Sequence, residues 1–537
     1  MRPPGFIAAS ILRNPYIAVS VRARLRRRAT LLLSAVWVAV IVLCIELNYF
    51  LYSSPNYPFY PSLEHCFFSV FFQLLGVQLF LAFFLTAYYC SNSVSIERST
   101  RTLPLLRATP LSGHAIALGK IASDPARIWI LLALGFPFTI TCAAVGRVSI
   151  STFAGGYAVM LAAAFFSCNL GLLCSAVGRR LTKPGQAGAA AIGLTMMMLF
   201  VSQSLYSFAP LNSLAGLSPI PFFISSVAQR FPPSFPTNFN PNLNFMGAEV
   251  HPFLISFPLY VLLGLGCFLG ASRRIADDNV PVLSRSQTTC GYLLYQLAVL
   301  GAVTNFFHPV RGFTGRPIAT PATGDEPMVA YSLLALAGLI LAALIITPTR
   351  SRVEAAIRRG STEVGLFRRW FSGDTAPPFP LLAVMFVAAM CGYGLFCWMV
   401  VTNAFRPVSN GSLLVGATML FFCVITFSLF AQSCYLARGK QPVAIAVAGL
   451  VLYFVFPAVL SSILQLVARP VVRADYIYAL NPIYALARSF SNAPSNDTAF
   501  FVFGTVVYVA VIAGLVFAIV SQLRGLRRHI EKMRSAP

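Results

Sequence analysis

The sequence predicts an all-α polytopic membrane protein, with about twelve transmembrane helices arranged as two parallel six-helix repeats. Three observations carry this. Of 537 residues, 57% are hydrophobic and only 10% are charged, where a soluble domain averages about a quarter charged. Apolar runs near the roughly 20 residues that span a bilayer recur along the chain. These runs are continuous rather than alternating, which selects helices over a membrane barrel. Lys and Arg also gather on alternate loops, as they do on the cytoplasmic side of membrane proteins.

The spans read, in order, 30–51, 66–90, 128–146, 153–177, 185–206, 252–272, 289–307, 328–347, 379–402, 412–435, 442–468 and 499–522. Gln296 and Asn305 make the seventh the weakest. With the N-terminus inside, 31 of the 39 Lys and Arg fall on inside segments and eight outside. Both termini are therefore expected in the cytoplasm. The net charge of +24 is spread over every inside loop, not gathered into one patch interleaved with aromatics, so nucleic acid is not an expected partner. Membrane lipid is. Ahead of the first span, residues 1–29 mix Phe6, Ile7, Ile11 and Leu12 with Arg13, Arg22, Arg24 and Arg26 to Arg28, which suits an interfacial segment on the inner leaflet. The first apolar run is too long for a signal peptide and is expected to remain as a span.

Ten of the twelve cysteines fall in or beside apolar runs, where a free thiol behaves as a small apolar group. The five histidines are scattered, so no metal site and no catalytic constellation is expected. Within the spans the clear ionisable residue is Glu46, expected to snorkel outward or to be hydrogen-bonded. Gln73, Gln78, Asn169 and Gln203 are expected to tie helices together.

The halves share a weak repeat. Leu217-Ser-Pro219-Ile follows the fifth span and Leu480-Asn481-Pro482-Ile the eleventh; Arg180-Leu-Thr-Lys183-Pro184 opens the fifth and Arg438-Gly-Lys440-Gln-Pro442 the eleventh. Such matches at equivalent places indicate a parallel duplication. The expected organisation is an interfacial segment 1–29, a six-span unit 30–272, a cytoplasmic linker 273–288, a second unit 289–522 and a basic tail 523–537. The Pro- and Asn-rich stretch 207–251 reads as an irregular outer cap.

The inside loop 91–127 is the most informative. Its end, Gly113 to Lys120, imitates a phosphate-binding loop. Five residues separate Gly113 from Gly119, Ile121 stands where a hydroxyl is needed and no strand precedes, so the motif fails. Glu97, Arg98, Arg101 and Arg107 read instead as one helix-compatible polar stretch beside Leu103, Leu105 and Leu106. Pro104 and Pro110 are expected to break it, with Ser112 capping a second short helix. The result is an amphipathic elbow along the inner membrane surface, suited to a push from a soluble partner.

This loop resembles the first cytoplasmic loop of type-2 permeases of ATP-binding-cassette (ABC) transporters, on Glu97-Arg98, Thr102, Leu106, Thr109-Pro110-Leu111-Ser112 and Gly119-Lys120. Arg101 stands in place of that family's Gly, and Pro104 where a helix former is common. The resemblance implies the membrane subunit of an exporter in the bacterial cytoplasmic membrane, without a nucleotide-binding domain or enzymatic activity of its own. ATP and Mg would sit on a separate ABC ATPase subunit, in two copies. Glu97, Arg98, Thr102, Leu106, Thr109, Pro110, Leu111, Gly119 and Lys120 would carry coupling. The corresponding second-half loop, with Arg350, Arg352, Glu354, Arg358 and Arg359, lacks the Thr-Pro-Leu pattern and implies a weaker contact. Two other classes remain: an ion-coupled secondary transporter, which the scarcity of intramembrane charge opposes, and a non-transporting scaffold of an envelope assembly.

Overall fold

The computed structural model describes residues 28–54, 62–177, 185–228, 242–304, 326–348, 379–402, 410–437 and 498–535, apart from 208, 247 and 279, together with 350, 353, 354 and 449. It is an all-α polytopic membrane protein. Seven described helices are long and apolar enough to cross a bilayer, and three shorter ones, Gln186–Ser202, Ala330–Ile346 and Leu382–Gly392, are apolar over part of that length. Of the twelve expected spans, 442–468 lies almost wholly outside the described residues, and the paired six-helix layout is not traced in full. The chain forms two compact units that part between Val282 and Leu283.

In the first unit, α1 (Arg28–Ser53) precedes α2 (Leu63–Ser99). Two short helices follow, α3 (Leu103–Ala108) and α4 (Gly113–Ser123), then α5 (Ala126–Val145) and α6 (Ile150–Val177). After α7 (Gln186–Ser207) come a 3₁₀ turn over Ala209–Leu217 and α8 (Ile220–Ala228). The strands β1 (Leu243–Phe245) and β2 (Ala248–Val250) pair antiparallel, and α9 (Pro252–Ala276) closes the unit. The stretch expected to be an irregular cap thus holds a 3₁₀ turn, a helix and a hairpin among its described residues.

The 37-residue α2 reaches well beyond the expected 66–90. At about 1.5 Å per residue it is roughly 55 Å long against a hydrocarbon core of about 30 Å. It stays helical because Cys90, Val94 and Ser95 remain buried against α6. Midway, Leu81–Leu85 is a π-turn. Ser167 Oγ on α6 donates to the Phe83 carbonyl there, and Thr86 Oγ1 to the Ala82 carbonyl. Below it α2 and α6 touch backbone to backbone, since any Cβ at Gly171 would overlap the Ala87 carbonyl. Small residues serve helix contacts in this way where lipid offers no hydrophobic drive. The core above is aromatic, with Phe68, Phe71, Phe83, Phe166 and Tyr260 buried together.

Two of the four polar residues expected to tie helices, Gln73 and Gln78, do so. Asn48 and Gln73 exchange two hydrogen bonds, at 2.9 and 3.1 Å, tying α1 to α2. Tyr157 on α6 donates to Gln78 Oε1 on α2 at 3.0 Å and lies 2.5 Å from Thr139 on α5. Asn169 instead bonds within its own helix, to the Phe165 carbonyl at 2.6 Å, and the Gln203 side chain lies outside the description. Glu46 is exposed along an apolar groove of α1 with Ser34, Ala35, Val38 and Val42.

In the second unit α10 (Arg285–Val303) starts earlier than the expected span, from a capping box of Ser284 and Gln287. It continues with α11 (Glu326–Ile346), α12 (Phe379–Thr402), α13 (Asn410–Leu436) and α14 (Thr498–Ser535). Tyr331 OH on α11 donates to the Ala389 carbonyl on α12 at 2.8 Å and lies 3.2 Å from Gln296 Oε1 on α10. Gln296, one of the two polar residues that weakened the seventh span, thus sits at a helix tie, while Asn305 lies outside the described residues. One helix of 38 residues runs through the expected last span and on through the expected basic tail as far as Ser535. Its C-terminal end stays helical by burying Leu526 and Ile530 with Val353 and Leu436.

Candidate functional site: a helical elbow

The elbow is built by a sharp reversal after α2. Thr100 N–H and Thr102 N–H donate to the Ile96 and Glu97 carbonyls, both at 2.9 Å, closing the last turn. Between them Arg101 takes φ +58°, the left-handed conformation that commonly ends helices and favours Gly. The departure of Arg101 from the resembled pattern therefore sits where the backbone most wants glycine. Pro104 does not break the helix as expected. It lies in the first turn of α3, where its missing donor costs nothing. The break is at 100–102, so Glu97 and Arg98 end one helix while Arg107 belongs to the next. Ser112 caps α4 as expected, accepting from Ala115 N–H at 3.2 Å.

Four charged side chains turn inward and hold this shape. Lys120 is 1% exposed; its Nζ donates to Glu97 Oε1 at 2.6 Å and to Ser93 Oγ at 2.8 Å. Burying an ammonium is tolerable only with such pairing. Arg98 reaches the last turn of α6, donating to the Ser175 carbonyl at 3.2 Å and the Ala176 carbonyl at 2.8 Å. Arg107 does the same on α9, with the Ile275 carbonyl at 2.8 Å and the Arg274 carbonyl at 3.3 Å. Carbonyls of a last helical turn lack intrahelical donors and carry the negative end of the helix dipole, so a guanidinium suits them. Both arginines also meet Asp278 Oδ1, at 2.9 and 2.8 Å.

What remains faces outward. Leu105 is 71% exposed, and Thr102, Pro104, Thr109, Pro110 and Ser112 are exposed beside it. Leu106 and Leu111 are half-buried against the small apolar cluster of Leu103, Ile116 and Ile275. Thr109 Oγ1 donates to the Leu106 carbonyl at 2.6 Å. Gly119 is buried. Of the nine residues expected to carry coupling, Thr102, Thr109 and Pro110 thus lie on the open face, and Glu97, Arg98, Gly119 and Lys120 support it from behind.

In the second half Arg350 and Glu354 pair with each other at 2.7 Å, while Arg352, Arg358 and Arg359 lie outside the described residues. The Leu217 carbonyl accepts from Tyr260 OH at 2.8 Å and Pro219 is buried, so this motif packs the outer end of the first unit. Leu480, Asn481 and Pro482 lie outside the described residues. Sequence reasoning missed Asp278. Its signal was available: Asp277 and Asp278 stand just two residues past Arg273 and Arg274, in a chain with only 15 acidic residues.

No family model, no curated protein and no solved structure matches this chain.

Proposed function

We propose that this chain is the membrane subunit of an ABC-type exporter, which forms the substrate pathway and takes its energy from a separate ATPase subunit. The observation that supports this reading is the elbow. It presents a small uncharged face, Leu105, Thr109 and Pro110, on a backbone that buried ion pairs and helix-end carbonyls hold in place. A partner could press such a face without first spending its binding energy on ordering a loop. The residues of this chain receive that load; ATP and Mg belong to the partner, and no step of hydrolysis uses a side chain of this protein.

Co-purification from membranes followed by an ATPase assay tests the reading. Wild-type chain should bring down an ATPase, and Leu105→Arg should lose it while the chain stays folded. Recovery of no ATPase with the wild type would overturn the proposal.

A further inference from the structure

Asp278 stands two residues beyond α9, in the stretch read from sequence as a linker. Its two carboxylate oxygens meet three guanidinium nitrogens: Arg98 Nη2 at 2.9 Å, and Arg107 Nη2 and Nη1 at 2.8 and 3.1 Å. Arg274 Nη1 donates to its backbone carbonyl. Each arginine that it holds is anchored a second time, Arg98 on the end of α6 and Arg107 on the end of α9. The elbow segments, the end of α2 and α3, thus converge with the ends of α6 and α9, which lie far along the chain, on one carboxylate. Nearby, α4 rests on α9 so closely that a Cβ at Gly113 would lie 2.5 Å from the Ser272 carbonyl oxygen.

We propose that Asp278 is the positioning residue of the elbow: it locks α3 to α6 and α9, so that load on Leu105 and Pro110 moves both spans together. The word load rests on the exporter reading; the lock does not. Two guanidiniums drawn together at one point repel each other unless a carboxylate lies between them. Without it, the two guanidiniums push apart, the Arg107 bonds to the α9 carbonyls weaken, and α3 is freed to pivot at the Arg101 turn.

The test is amide hydrogen exchange on the full chain in lipid nanodiscs, comparing wild type with Asp278→Asn and Asp278→Glu. Asp278→Asn, which keeps the shape and loses the charge, should speed exchange at the Leu106 and Thr109 amides about tenfold or more. Amides within α6 and α9 should change less than twofold, and Asp278→Glu should restore most of the protection. A second measurement pairs Asp278→Asn with Arg107→Gln, and the double variant should exchange no faster than the faster single variant. The proposal is overturned if the elbow amides of Asp278→Asn stay within twofold of wild type. It is equally overturned if α6 and α9 lose protection in step with the elbow, which is plain destabilisation. If the elbow responds as expected but no ATPase co-purifies with the wild type, the lock stands and the exporter reading falls.

Discussion

Arg101 pays for its place in the turn. A non-glycine residue in the left-handed region costs about 1 kcal/mol or more, and its side chain is exposed. Arg101→Gly should therefore raise the thermal unfolding midpoint of the purified chain, offset in part by glycine's greater freedom when unfolded. Lys120 should behave in the opposite sense. Lys120→Met leaves Glu97 facing a dry wall, with one oxygen already lacking a hydrogen-bond partner. Breaking a buried pair costs about 3 kcal/mol, and Glu97, 19% exposed, keeps the loss at that lower end. The double variant Glu97→Gln with Lys120→Met should recover most of it, because no uncompensated charge remains. Chemical denaturation of the three proteins would read both effects, and full additivity of the single losses would contradict the pairing. These roles were partly legible. Glu97, Arg98 and Lys120 stood out in the sequence, but as a contact surface. Nothing in their spacing told that they point inward, since Glu97 and Lys120 meet only when α4 folds back on α2 and Arg98 only when the end of α6 lies beside it.

The informative element is α2, divided by its π-turn. Above Leu81 it packs with the aromatic core; below Leu85 it runs with α6 down to the elbow. Removing one residue from the α-helical run Ala87–Ser95, outside the π-turn, would rotate everything below by about 100°, the turn per residue of a 3.6-residue helix. Arg98 would then swing away from Ala176 and Asp278. Such a deletion should abolish protection of the elbow amides while the helix content measured by circular dichroism stays near wild type. A π-turn interrupts a helix without changing its hydrophobic period enough to notice, so the sequence read one smooth span. Likewise α14 read as a span and a separate tail. Its C-terminal end is held by Leu526 and Ile530 against Val353. Leu526→Asp should fray residues beyond Leu523 and make them sensitive to limited proteolysis, leaving the apolar part of the helix protected.

At the scale of the whole molecule, the distribution of Lys and Arg leads to the expectation that both termini and the elbow share one side of the bilayer. Reporter fusions after Gly146 and after Val177 should report opposite sides, with Val177 on the side of the elbow. The same side for both would reject the assigned orientation. Membrane residence, helical class and the place of the elbow followed from the sequence by itself, because composition and hydrophobic run length are properties of single segments and lipid leaves a helix few alternatives. Only the tertiary structure decided which elbow residues face out and which are fastened behind. Arg98 finds its carbonyl partners 77 and 78 residues away and its carboxylate 180 residues away. Hydrogen bonds act over about 3 Å, so partners so distant in sequence meet only when the packing of α6 and α9 brings their ends beneath the elbow.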